Sequence, residues 1–328
     1  MTSMTRRGLF TGVAALGCAG LLAGRARADA AIPELTVWGP PAGPSVTVVH
    51  AIETGRLRGI ADTVTFRAWR NPDELRAGLT SGTMNVFVLP TQSAANLFNR
   101  GLDVRLVNVM TNGLLHVVSA DPALTSLEAL KGRSVAVPFR NDTPDIIFRR
   151  LLTARNIGED DLDLRFAGTP LEAAQLLATG RIDAALLPEP AASASIVRGA
   201  MAGRALTRVI DIQDAWAKAM DLPPALPQAG LGVTGAFLEA HRPAVEALHQ
   251  GLAQAVEAVN AAPAEAAGIV AGTVGLPAPV IRQAIPHSNL VATRAGAARP
   301  VLEPVFKALA DTDPAILGGK LPDSAFYL

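Results

Sequence analysis

Two patterns alternate along the first two thirds of the chain. Short, mostly apolar runs at residues 35–38, 84–90, 104–110, 134–138 and 182–188 read as strands. Between them lie stretches with apolar positions at helical spacing, such as the segment from Pro44 through Val46, Val49 and Ile52 to Gly55. Strands separated by helices of this length imply βαβ units and parallel pairing. Beyond residue 210, a short run at 230–233 reads as one more strand. Residues 241–260, 263–271, 277–285 and 300–309 read as helices expected to pack on the first part of the fold and to serve stability.

One unit occurs twice. Residues 71–82 (NPDELRAGLTSG) and 169–180 (TPLEAAQLLATG) match landmark for landmark at an offset of 98, and each is followed by an apolar run that ends at Pro90 or Pro188. Asn71 and Thr169 are helix caps, and the following proline suits a position whose N–H has no partner. Glu74 and Glu172 sit at the capping-box position, and Gly82 and Gly180 stop the helices. The upstream strands and helices also correspond, with Pro44 matched by Pro144. Two copies predict two similar lobes: an α/β, two-lobed fold of the periplasmic-binding-protein type, each lobe a mainly parallel sheet flanked by helices. The chain is expected to cross between lobes twice, near residues 112–121 and 206–210. The expected division is residues 1–28 as an export signal, 29–114 plus 207–328 as the first lobe, and 115–206 as the second.

The first 28 residues carry Arg6 and Arg7, an apolar run over 9–22, and a small-x-small site at Ala26, Arg27 and Ala28. The run is too short to cross roughly 30 Å of hydrocarbon. Export with cleavage after Ala28 is expected, by the twin-arginine route or by ordinary secretion; a lipid-anchored form through Cys18 is the weaker alternative. With 29 basic and 29 acidic side chains in all, and four arginines but no acid in this segment, the mature chain carries a net charge of −4. That balance, with only 10 Phe, 3 Trp and 1 Tyr, argues against nucleic-acid binding. The lone cysteine excludes a disulfide framework or a Cys-rich metal site. No cofactor or metal is implied, and the mature chain is expected not to span a membrane and to be monomeric.

Ligands of open α/β sheets bind beyond the carboxyl ends of the strands. Those ends are residues 39–45, 90–93, 138–143 and 188–190, and helix N-termini opening there would favour an anion or acceptor oxygens. The candidate binding residues are Pro41, Ser45, Thr91, Gln92, Ser93, Phe139, Arg140, Asn141, Asp142, Thr143 and Glu189. Arg140 is the anion clamp by chemistry, since a guanidinium grips a sulfonate, carboxylate or phosphate in bidentate fashion; an exposed loop arginine is the plain alternative. Glu189, held between two prolines, would receive an ammonium or N–H of the ligand. Trp38 reads as core, and His116 lies near the first crossing.

The segments 84–96 (MNVFVLPTQSAAN), 132–139 (GRSVAVPF) and 180–190 (GRIDAALLPEP) resemble the substrate-binding proteins of ABC importers for nitrate, taurine and aliphatic sulfonates, a group that includes binders of thiamine-pyrimidine precursors. The resemblance covers about residues 34–209. It implies two hinged lobes closing on a small polar or anionic solute, which is then passed to a membrane permease driven by an ATPase. It supports 90–93, 139–143 and 189 as cleft positions. Pro40, Pro41 and Pro44 depart from the hydroxyl-rich first loop usual there, which leaves the solute open between a sulfonate-like anion and a heterocycle. Enzymes share this fold, but the five histidines form no metal-spaced pair with a nearby acid and no nucleophile motif is present. A binder is therefore expected, feeding transport or a sensor.

Overall fold

The repeated cap-and-strand unit sets the frame of the computed structural model, which describes residues 32–311 and 313–328. The expected export signal, with Cys18, lies outside the described residues. The chain begins with β1 (Glu34–Gly39), α1 (Gly43–Glu53), β2 (Thr63–Ala68), α2 (Pro72–Thr80), β3 (Val86–Pro90), α3 (Thr91–Asn99) and β4 (Val104–Thr111). It continues through β5 (Leu115–Ser119), β6 (Ser134–Pro138), α4 (Thr143–Ala154), β7 (Asp163–Ala167), α5 (Pro170–Ala178), β8 (Ala184–Pro188), α6 (Ala191–Met201), β9 (Thr207–Asp211) and α7 (Ile212–Met220). Then follow β10 (Ala229–Thr234), α8 (Gly235–Ala240), α9 (Arg242–Ala261), α10 (Pro263–Val274), α11 (Ala278–Ala284), β11 (Leu290–Arg294) and α12 (Ala295–Ala310).

Both repeated caps form. Asn71 Oδ1 accepts the N–H of Glu74 at 2.9 Å, and Thr169 Oγ1 that of Glu172 at 3.2 Å. Each glutamate reaches back to the chain ahead of the cap, accepting the N–H of Arg70 or of Gly168 at 2.8 Å. Gly82 and Gly180 close the helices at φ of 72° and 71°, where a side chain would be strained.

The strands form two sheets, ordered β11-β4-β10-β3-β1-β2 and β7-β6-β8-β5-β9. Only the duplicated units are parallel, β1 with β2 and β3, and β6 with β7 and β8. The expected mainly parallel sheets are thus mixed. β10 runs antiparallel between β3 and β4, and β5 antiparallel between β8 and β9. The reason is the route of the chain: β5 and β10 are the strands entered directly after each crossing, so each arrives from the other lobe. The edge strands β2 and β7 have no apolar run, because most of their residues are only half-buried or exposed.

The second crossing differs from expectation. Residues 207–211, read as the return to the first lobe, form β9 at the edge of the second sheet, where Ile210 joins that lobe's core. The chain crosses later, after α7. Its return segment lies against the first crossing: Leu226 N–H donates to Asn112 O at 2.8 Å, and Gln228 Oε1 accepts the N–H of Leu114 at 2.6 Å. The two crossing strands form one hydrogen-bonded hinge.

α12 begins at Ala295, ahead of the proline expected to open it, and contains both Pro300 and Pro304. It also packs on both lobes. Leu302 and Phe306 lie in the core of the first sheet with Phe87 and Leu106, whereas Val305 and Leu309 lie in the core of the second with Leu151 and Trp216. Asn71→Ala and Thr169→Ala are each expected to lower unfolding free energy by about 1 kcal/mol. The double variant should lose the sum, since the caps share no partner. Urea denaturation of the three variants checks this, and a strongly non-additive loss would contradict independent caps.

Candidate functional site: the cleft between the sheets

β1, β3, β6 and β8 end on the same crevice, and α1, α3, α4 and α6 begin there. Direct contacts bridge it. Gly43 N–H donates to Glu189 O at 3.0 Å. Thr143 Oγ1 donates to Gln92 Oε1 at 3.1 Å, while Ser93 Oγ lies 3.4 Å from Thr143 Oγ1 and 3.5 Å from Asp142 Oδ1. On α2, Arg76 Nη2 meets Asp142 Oδ2 at 2.6 Å. The structure therefore brings together Gln92, Ser93, Asp142 and Thr143, and sets the main chain of Glu189 against the start of α1.

The other candidates are placed differently. Ser45 Oγ donates to Pro40 O and buried Thr91 Oγ1 to Pro227 O, both at 2.6 Å, so each hydroxyl braces a loop. Pro41 is exposed at the rim. Phe139 and Asn141 adopt φ of 56° and 62°, rarely occupied by residues with side chains. Between them Arg140 is exposed, and its guanidinium lies 4.7 Å from the ring of Phe166 on the edge strand β7. Asn141 is turned toward α4: its N–H donates to Asp145 at 2.7 Å and its Oδ1 accepts from Arg149 at 3.0 Å. Burial pushes the Asp145 carboxyl above its usual range despite that arginine.

Glu189 is 0% exposed, and its carboxylate is fully committed within the second lobe. Oε1 accepts from Arg208 Nε at 2.7 Å and Nη2 at 2.5 Å; Oε2 accepts from Ser193 Oγ at 2.8 Å and Ser193 N–H at 3.2 Å. Four donors fill the lone-pair directions a carboxylate offers. A ligand ammonium thus finds the Glu189 side chain already satisfied; its carbonyl is what faces the other lobe. One N–H in the first turn of each of the four helices is similarly engaged. Gly43 N–H meets Glu189 O, Thr91 N–H meets Gln228 O at 3.1 Å, Thr143 N–H meets Asp142 Oδ1 at 2.7 Å, and Ser193 N–H meets Glu189. Two of those acceptors are carboxylates, which take the place an anion would have at the helix ends.

Beside these strand ends a cavity of about 540 Å³ opens between α3 and α4. Its walls carry Gln92, Ser93, Asn96 and Arg100 from α3 and the residue after it, and Ile146, Arg149, Arg150 and Thr153 from α4, with Arg76 at one end and residues 313–316 across the top. The sequence holds a signal for it. Residues 146, 149, 150 and 153, and 92, 93, 96 and 100, each form a stripe at helical spacing, of which the convergence of strand ends singled out only Gln92 and Ser93. The 3₁₀ turn Pro314–Leu317 is tied to α3 by Asn96 Nδ2, which donates to Ala315 O at 2.9 Å, and by Gln92 Nε2, which donates to Ile316 O. Among the described residues no cluster of three His, Cys, Asp or Glu is placed to hold a metal ion.

At the hinge His116 is buried, its Nε2 lying 3.0 Å from His287 O and its ring edge-on to that of His287 at 5.8 Å. His50, His249 and His287 are all held below the ordinary value of 6.5, in each case mainly by burial and then by a nearby arginine. The unfolded chain therefore takes up protons first. Stability from these groups is complete above pH 6.5 and is lost as pH falls below it. A thermal midpoint that falls between pH 7.5 and 5.5, and falls less in His249→Asn, is the expected result. Glu189→Gln should cost roughly 2 kcal/mol by leaving Arg208 without its charge partner; denaturant titration measures it, and an unchanged midpoint would contradict this account of the network.

A family model described as NMT1-like matches residues 75–274. No curated protein sequence matches the chain. Among solved structures it is similar to an ABC transporter protein from Parabacteroides distasonis, at TM-score 0.72 and 21% identity over 90% of this chain and 98% of that one. It is also similar to the alkanesulfonate-binding protein SsuA from Xanthomonas axonopodis pv. citri bound to MOPS, at TM-score 0.68 and 18% identity over 90% and 97%. The periplasmic nitrate-binding protein NrtA from Synechocystis PCC 6803 superposes at TM-score 0.60 and 13% identity over 77% and 70%. At these identities the superpositions establish a shared two-lobed α/β fold. The family model spans well over half of the sequence, including both crossings and the whole second copy of the repeated unit, and the chain belongs to the NMT1-like family.

Proposed function

We propose that this protein is the periplasmic solute-binding component of an ABC importer, capturing a small polar or anionic organic solute between its lobes and presenting it to a permease and its ATPase. The observation that carries this reading is the crevice itself. Loops from both copies of the duplicated unit meet there, at Gln92 against Thr143 and at Gly43 against Glu189. The superposed proteins named for sulfonate and nitrate binding support it, as does the export segment read over residues 1–28.

The moving bodies are the first sheet with its helices, built from residues up to Thr111 and again from Ala229, and the second, from Leu115 through α7. The first solute contacts are Gln92, Ser93, Asp142 and Thr143, with Arg140, Asn141, Phe139, Pro41, Ser45 and Thr91 around the rim and loops. A solute that touches both walls favours the closed arrangement by its differential affinity. The protein acts as a binder and returns its solute unchanged.

A thermal-shift screen of nitrate, taurine, sulfonates, carboxylates, amino acids and thiamine precursors tests the reading. One class is expected to stabilise the protein by roughly 2.7 kcal/mol at about 100 times its dissociation constant. No shift from any of them, or turnover of one by the pure protein, would overturn it.

A further inference from the structure

The geometry points to Gln228 as the positioning residue of the hinge: its side-chain amide pins the returning crossing to the outgoing one, and by that bond sets the angle at which the two lobes rest, without touching solute. The resting angle is a property of the solute-free protein; its consequence for affinity rests on the solute-binding reading above.

Gln228 is 5% exposed and ends the return segment just ahead of β10. It makes hydrogen bonds in three directions. Its N–H donates to Thr111 O at 3.2 Å, at the end of β4, and its carbonyl accepts the N–H of Thr91 at 3.1 Å, at the start of α3. Both main-chain partners belong to the first lobe. Its Oε1 accepts the N–H of Leu114 at 2.6 Å, and Leu114 directly precedes β5 of the second lobe. The main chain of Gln228 is thus built into one lobe while its side chain holds the entry to the other.

That bond is one step in a longer series. Leu114 O accepts the N–H of Glu189 at 2.8 Å, and Glu189 O accepts that of Gly43 at 3.0 Å, at the start of α1. From α3 through Gln228, Leu114 and Glu189 to α1, hydrogen bonds run from the first lobe into the second and back. Gln228 Oε1 is the one side-chain atom among their acceptors.

The residue ahead of Leu114 is where the chain turns. Gly113 has φ of 140°, a conformation open to glycine and strained for other residues. Among the described residues, the other bonds that hold this crossing from the first lobe and the return segment end on Asn112 and Gly113. Gln228 alone holds the residue beyond the pivot, and so fixes the direction in which β5 sets out. Leu114 is 6% exposed, and without that acceptor its N–H is stranded away from water. Bending at Gly113 lets it regain a partner and swings the second lobe away. Because apparent affinity scales with the fraction of protein in the binding-competent arrangement, Gln228 tunes solute affinity from outside the crevice.

The test is a distance measurement between the lobes of the solute-free protein. Ala77 on α2 and Gln175 on α5 are exposed and occupy matching places in the two copies of the repeat, at the offset of 98. With Cys18, the sole cysteine of the chain, changed to serine, Ala77→Cys and Gln175→Cys carry spin labels, and double electron–electron resonance reads their separation. Gln228→Met, of similar length but without the amide acceptor, should raise the ratio of longer- to shorter-distance populations about tenfold. Gln228→Glu keeps an acceptor oxygen at that place and should restore the parent distribution. Val245→Ala, in the core beneath α9, controls for instability alone and should leave the distribution as it is. Should Gln228→Met fail to fold, Gln228→Asn, one methylene too short to reach Leu114, replaces it with the same expectation. A parent-like distribution in Gln228→Met or Gln228→Asn overturns the proposal, as does an equal change in Gln228→Glu or Val245→Ala. A failed solute screen leaves a positive distance result standing, and a failed distance test leaves the importer reading standing.

Discussion

A helix that starts at a strand end leaves its first N–H groups without partners, and four such helices start on one crevice here. How those donors are satisfied governs the rest of the structure. α1 has an alanine cap and a proline at its second position, so no side chain caps it and one N–H is missing. Its remaining leading donor, Gly43, finds its acceptor on the other lobe. The helix end is complete only when the lobes touch. In α4 and α6 the acceptors are carboxylates from the same lobe, Asp142 and Glu189, and each carboxylate is neutralised by an arginine, Arg76 across the crevice and Arg208 within the lobe. Closure, helix capping and charge balance are one network of hydrogen bonds.

The mechanical link between the lobes has three strands of support. Two are the crossing segments, bonded to one another at Leu226 and Gln228. The third is α12, two faces of which lie in two different cores, with Leu302 and Phe306 in one and Val305 and Leu309 in the other. A helix so shared resists wide separation, because opening exposes apolar side chains at about 25 cal/mol for each Å². The cavity between α3 and α4 lies directly under this helix and the turn that follows it.

Charge is arranged in layers from the crevice outward. Inside, every buried carboxylate has a cationic or N–H partner. Outside, along the facing stripes of α3 and α4, arginines outnumber the acids that answer them.

Much of the fold was legible because its signals are local. The caps at Asn71 and Thr169, the stop glycines and the apolar runs of β3 and β8 depend on neighbours in sequence, and their repetition at a fixed offset implied two similar lobes. Edge strands such as β2 and β7 carry no such run, and β9 was assigned to the wrong lobe since a strand's partner is decided by the sheet it reaches. Pro300 looked like a helix start, yet α12 runs through it, its packing against two cores outweighing the lost hydrogen bond. The candidate site divided the same way. Gln92, Ser93, Asp142 and Thr143 meet because strand ends converge, a rule of topology. Glu189 and Arg140 were singled out for their chemistry, but a side chain's task depends on what packs around it. Arg208, 19 residues from Glu189 in sequence, and Phe166 on the neighbouring strand are partners that only the folded chain brings there.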